Sequence, residues 1–183
     1  MCFFRKCCWL LLLIVLCGCG DNLVPSGDDK RPLVVAGTTG SAVGQKAPDF
    51  TVTDVTNGND IVVTLPMLLA SKKAVVIYFT MWCPICDTDM SLMRDSLIPL
   101  FPDVRFCAVD YVNGTLADVR NSASANGFAN GSFTILADIA NIIEASYSGT
   151  MGTTIVIDSG GIVRMNENFR DGSRLNAVLS ALP

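Results

Sequence analysis

The chain has 183 residues, half of them hydrophobic, and a net charge of −4. With no basic patch, that balance argues against nucleic acid as a partner. There is no histidine, which excludes a Cys–His or Ser–His nucleophile pair and removes the commonest transition-metal ligand.

Arg5 and Lys6 precede an uninterrupted apolar run from Trp9 to Cys17. That run is too short to span a bilayer as a mature helix, but it suits the apolar region of a secretory signal. Leu16-Cys17-Gly18-Cys19 resembles the bacterial lipobox. The resemblance implies a signal over residues 1–19, cleaved before a lipidated Cys19, and a chain anchored in the cell envelope facing the periplasm or exterior. An ordinary cleaved signal is the alternative. Of eight cysteines, Cys2, Cys7, Cys8 and Cys17 would leave with the signal and Cys19 would carry lipid. The remainder, Cys83, Cys86 and Cys107, make no disulfide-rich framework.

Residues 20–41 are rich in Gly, Pro, Ser, Thr and charge without a period, and read as a flexible linker. The folded domain is expected over 42–183. Phe50-Thr51-Val52 and Ile61-Val62-Val63 alternate about the turn dipeptide Asn57-Gly58, which predicts a small hairpin. A short helix is expected over Pro66–Ser71. Ala74 to Phe79 is an unbroken apolar run suited to a strand buried on both faces. Cys86, Met90, Met93 and Leu97 then fall at i, i+4, i+7 and i+11, one face of a helix that stops near Pro99. Further strands are predicted over Val104–Val109, Thr153–Ile157 and Ile162–Met165, the last two joined by Ser159-Gly160-Gly161. Helices are predicted over Asp118–Asn126, Ile139–Tyr147 and Ser173–Leu182. Strands alternating with helices, then a hairpin and a helix, imply an α/β domain with a mixed sheet.

Trp82-Cys83-Pro84-Ile85-Cys86 lies where the buried strand hands over to the helix. Open α/β sheets place their sites at such carboxyl ends. Cys83 falls at the helix N-terminus, where unpaired N–H groups and the dipole favour a thiolate. Cys86 lies one turn in, on the core stripe, and is expected to be shielded. An exposed, acidified thiol beside a shielded one is a layout for thiol–disulfide exchange.

These residues resemble the thioredoxin-like superfamily, in its TlpA/ResA-type branch of exported thiol–disulfide oxidoreductases. The likeness rests on Val43-Gly44-Gln45-Lys46-Ala47-Pro48-Asp49-Phe50, on the WCxxC at Trp82–Cys86, and on Thr153-Thr154-Ile155-Val156-Ile157-Asp158 followed by Gly160-Gly161-Ile162-Val163. It implies a thioredoxin-like fold, a central mixed β-sheet flanked by helices, with an N-terminal β extension. It implies Cys83 as attacking nucleophile and Cys86 as resolving cysteine, no cofactor, and protein disulfides or dithiols of the envelope as substrates. Asp89 falls where the branch carries an active-site acid, and its place three residues past Cys86 puts it on the same side of the helix. Its plainer reading is a helix acid stabilised by the dipole. The resemblance also assigns substrate contacts to Trp82, Pro84, Gly152 and Thr153. Gly152 is a departure, because the family normally has a cis-proline there. A trans Met151–Gly152 peptide is expected, with a mobile glycine whose N–H adds a donor to the groove and whose replacement by proline raises activity.

Two rival readings follow from the same residues. Thr80, three residues before Cys83, matches part of the peroxiredoxin Pro-x-x-x-Thr-x-x-Cys motif, but Val76 replaces its proline and Gly152 and Thr153 stand where its arginine belongs. A non-catalytic binding module with a structural disulfide is the other. A zinc site needs four ligands, and three cysteines without histidine do not supply them. Cys107, inside an apolar run, reads as a small packing residue.

Overall fold

The computed structural model describes Val35, residues 37–58 and residues 60–182. The signal, Cys19 and most of the linker lie outside the described residues. Strand β1 (Thr51–Asp54) pairs antiparallel with β2 (Ile61–Thr64), Val52 opposite Val63. Helix α1 (Leu65–Leu69) begins on the Thr64 hydroxyl, which accepts from the Met67 N–H, and carries Pro66 in its first turn. Then follow β3 (Ala74–Thr80) and α2 (Pro84–Leu92). The helical path does not stop there. It continues through a π-type turn, Met93–Leu97, and a 3-10 turn, Ile98–Leu100. Pro99 has no N–H to extend an α ladder, and the Ile98 N–H bonds the Met93 carbonyl instead.

Strand β4 (Val104–Asp110) leads to α3 (Leu116–Ala125), β5 (Thr134–Ala137), α4 (Ile142–Tyr147), β6 (Thr153–Asp158), β7 (Val163–Asn168) and α5 (Ser173–Ser180). Two helices start elsewhere than the sequence suggested, and capping explains both. The Thr115 hydroxyl accepts from the Asp118 N–H, so α3 begins at Leu116. The Asp138 carboxylate accepts from the N–H groups of Ile142 and Glu144, at 2.7 and 2.8 Å, and holds the start of α4 back from Ile139.

Strand β5 was not anticipated. Its four residues are too few to show a period, yet they place a strand between the amino-terminal hairpin and the centre. The seven strands run in the order β2-β1-β5-β4-β3-β6-β7. β3, β4 and β5 are mutually parallel where adjacent, and the other pairs are antiparallel. The mixed sheet with its β extension therefore matches the expected class.

All seven residues of β3 are buried, as a central strand covered on both sides requires. Ala74, Val76 and Tyr78 face the core formed with Cys86, Met90 and Met93 of the active-site helix and its extension, and with Leu175 and Leu179 of α5. Val75, Ile77 and Phe79 face the other core, against Leu65 and Leu68 of α1 and Ile143 and Tyr147 of α4. Each such buried side chain contributes roughly 1.5–3 kcal/mol. The sheet is thereby held as a rigid floor, with the end of β3 presenting the cysteines.

Candidate active site

Past Thr80 the chain turns sharply through Met81 and Trp82, and Trp82 takes a left-handed φ of +57°. Bulky residues rarely sit there, so the turn must be held. The Trp82 N–H donates to Thr80 Oγ1 at 3.0 Å, and its indole N–H donates to Asp110 Oδ2 at 2.6 Å. Asp110 is buried opposite Thr80 on the neighbouring strand. It also accepts from the N–H groups of Val112 and Asn113, at 3.1 and 3.0 Å, and from the Asn113 amide at 2.6 Å. Trp82 further packs against Phe128. It is half-buried and pinned at the mouth of the site.

Cys83 is the N-cap of α2, and its Sγ accepts from the Cys86 N–H at 3.3 Å. Pro84 follows exposed in the first turn, where a missing N–H costs nothing. The two thiols are free and lie 2.7 Å apart, Sγ to Sγ. Cys83 is half-buried, whereas Cys86 is 0 % exposed. The accessible and shielded partners stand as their spacing implied.

The charge is arranged differently from the sequence expectation. Burial pushes the Cys83 thiol up, and its hydrogen bond to Cys86 adds to that shift. Burial also acts on Cys86, but it is outweighed by the hydrogen bond from Cys83, the N–H groups of Met81 and Cys83, and the Thr80 hydroxyl, which bring Cys86 below the ordinary thiol value. The two sulfurs therefore share one local electrostatic environment, each shifting the other.

Asp89 is half-buried and accepts from the Tyr78 hydroxyl at 2.9 Å. Burial raises its pKa, and the Tyr78 bond pulls the other way. Tyr78 and Cys86 belong to the same buried core. Tyr78 is fully buried, and burial, then the neighbouring Asp89, push its own ionisation far out of range. Cys107 on β4 is fully buried and its thiol is pushed up to about 12. It is a packing residue away from this chemistry.

The loop before β6 closes the site. Met151 Sδ lies 3.3 Å from Cys83 Sγ. Gly152 has a φ of +81°, and there is no cis peptide among the described residues. Its N–H does not face the groove as expected, because it donates to the Phe79 carbonyl at 3.0 Å. Its carbonyl accepts from the Phe169 N–H at 2.7 Å. Thr153 is buried, with its hydroxyl accepting from the Thr150 N–H at 3.0 Å and donating to Asn168 Oδ1 at 3.2 Å. It shapes the loop from within. The side chain that this loop exposes beside Cys83 is Met151.

Residues 43–166 match the family model described as AhpC/TSA family. The chain belongs to the AhpC/TSA family. No curated protein matches the sequence at a significant level. Among solved structures, a putative thiol:disulfide interchange protein DsbE from Chlorobium tepidum is 22% identical, with a TM-score of 0.61, covering 77% of this chain and 97% of that one. Mycobacterium tuberculosis AhpC is 16% identical, with a TM-score of 0.62 over 77% and 92% of the two chains. A putative protein disulfide isomerase from Bacteroides thetaiotaomicron is 19% identical, with a TM-score of 0.60 over 77% and 89%. The fold of this AhpC/TSA member is therefore thioredoxin-like.

Sequence reasoning missed two residues of the site. Tyr78 was visible only as part of an apolar run, although a tyrosine on the face that also receives Cys86 was a usable signal. Met151 belongs to no motif of its own, and its place one residue before Gly152 is its only signal in the sequence. Among the described residues no cluster of Cys, Asp and Glu assembles a metal site.

Proposed function

We propose that the protein is a thiol–disulfide oxidoreductase acting on protein disulfides or dithiols. The observation that carries this is the free Cys83–Cys86 pair, 2.7 Å apart, with one sulfur reachable and the other sealed. In the reducing direction Cys83 loses its proton to solvent and attacks, as thiolate, one sulfur of the substrate disulfide. A mixed disulfide forms and the other substrate sulfur leaves as thiolate, taking up a proton. Cys86 then gives up its proton, attacks Cys83 Sγ and releases the second substrate thiolate. The products are the Cys83–Cys86 disulfide and a reduced substrate. Asp89, one helical turn past Cys86 and held by the Tyr78 hydroxyl, takes the Cys86 proton.

The rim suits a polypeptide. Met81, Ile85 and Met151 are exposed apolar side chains beside or within the motif and the facing loop, and apolar exposure of this kind marks recognition surfaces. The names carried by the Chlorobium and Bacteroides relatives agree with this activity. A peroxidatic reading is less favoured, since the Thr80 hydroxyl accepts from the Trp82 N–H and makes no hydrogen bond to the nucleophile.

The proposed setting is the cell envelope. A lipid on Cys19 and a linker over 20–41 tether the domain 42–183 to a bacterial membrane. Two or more acyl chains suffice for stable anchoring where one does not. Mass spectrometry of the mature amino terminus tests the tether, and an unmodified terminus overturns it. The activity is tested by reduction of insulin disulfides with a dithiol as electron donor. Turnover that persists in Cys83→Ser overturns it.

A further inference from the structure

A second sulfur stands beside the nucleophile. Met151 Sδ is 3.3 Å from Cys83 Sγ, and Met151 is 38% exposed. The loop holds it in place. The Thr153 N–H donates to the Thr150 carbonyl at 2.8 Å, the Thr150 N–H to Thr153 Oγ1 at 3.0 Å, and the Gly152 N–H to the Phe79 carbonyl at 3.0 Å.

We propose that Met151 is a redox-active residue, an exposed thioether that a peroxide oxidises to the sulfoxide and that the adjacent Cys83–Cys86 pair reduces again. The proposal rests on the dithiol chemistry above and extends it to a second class of substrate, a sulfoxide carried on the chain itself. Hydrogen peroxide gives one oxygen to Met151 Sδ and leaves as water. The Cys83 thiolate then attacks the sulfoxide sulfur, across a gap already within the 3–3.5 Å of a near-attack arrangement. A proton reaches the sulfoxide oxygen from solvent, to which Met151 is open. The oxygen passes to Cys83 as a sulfenic acid, and the Met151 thioether is restored. Cys86 attacks that sulfur, and the oxygen leaves as a second water. One peroxide and two thiols have become one disulfide and two waters, and an external dithiol resets the pair.

Methionine sulfoxide in a protein ordinarily waits for a dedicated reductase. Here the reductant is the neighbouring side chain. Met67 provides the internal comparison. It is 53% exposed on α1, whose buried face joins the opposite core from Cys86.

The experiment starts from the full chain with Cys83–Cys86 oxidised, so that the thiols are protected. Hydrogen peroxide is added and then removed with catalase, dithiothreitol is added, and peptide masses at Met151 and Met67 are followed. The expected result is sulfoxide at both positions, followed by loss of 16 Da at Met151 at least tenfold faster than at Met67. In Cys83→Ser both sulfoxides should persist. Equal rates at the two positions, equal loss at Met151 in Cys83→Ser, or failure of Met151 to oxidise while Met67 does, each overturns the proposal. Insulin reduction by the untreated protein is measured in parallel. If it proceeds while the Met151 sulfoxide persists, only this inference falls; if it also fails, the thiol–disulfide reading falls first.

Discussion

Tyr78 Oη donates to Asp89 Oδ2 at 2.9 Å, joining the central strand to the active-site helix directly behind Cys86. Tyr78 also shares the buried core with Cys86, so the tyrosine fixes the carboxylate on the side of the helix that carries the shielded sulfur. A phenylalanine at 78 would fill the same volume without the link. Tyr78→Phe should therefore leave the first attack by Cys83 intact and slow release of the mixed disulfide. Loss of the base itself in Asp89→Ala should slow that step by on the order of 10²-fold, the low end for a positioned base. Stopped-flow measurement of the two phases separates them. Slowing of the first phase alone would contradict the assignment.

The raised pKa of Asp89 makes a separate statement about stability. Burial favours its protonated form in the folded protein. The stability this provides is complete below the ordinary carboxylate value of about 3.9 and is lost as pH rises through the higher folded value. Asp89→Asn keeps an acceptor for Tyr78 and cannot ionise. Its thermal midpoint should match the parent at pH 3 and exceed it at pH 7. A difference that is constant with pH would show that the fold does not raise the Asp89 pKa.

Much of this site was legible from residue order, and the limits are instructive. Cys83 and Cys86 could be placed because a buried strand and a helical stripe share one junction, and those patterns are local. The accessibility of the two sulfurs followed from the same stripe. The direction of the Cys86 shift did not follow, because the groups that lower it include Met81 and Thr80, brought round by a turn that puts Trp82 at positive φ. That turn depends on Asp110, 28 residues further on. Met151 is 68 residues from Cys83. Contacts at such separations are set by strand pairing, and β5, the strand that joins the amino-terminal hairpin to the sheet, carries no periodic signal of its own.

Cys107 offers a control on thiol assignment. It is fully buried between strands, with its thiol pushed up to about 12. Under native conditions at pH 8 it should resist iodoacetamide, while Cys83 is alkylated. Denaturant should then expose it to a second, distinguishable label. Native labelling of Cys107 at a rate comparable to Cys83 would contradict its burial.

Gly152 is where the structure reverses an expectation drawn from family resemblance. Proline at this position was expected to raise activity by restoring the usual residue. The observed backbone opposes it twice. Proline holds φ near −65°, whereas Gly152 sits at +81°. Proline also lacks the N–H that bonds the Phe79 carbonyl at the end of the central strand. Gly152→Ala separates the two effects, since it keeps the N–H and suffers only the left-handed backbone, a cost of about 1–2 kcal/mol. Gly152→Pro adds loss of the hydrogen bond, a further 0.5–1.5 kcal/mol or about that, and must rebuild the loop that carries Met151. Denaturant unfolding should rank the proteins as parent, then alanine, then proline, and insulin reduction should fall in the same order. A proline variant as stable as the parent and more active would show that this loop readily adopts the family's usual path.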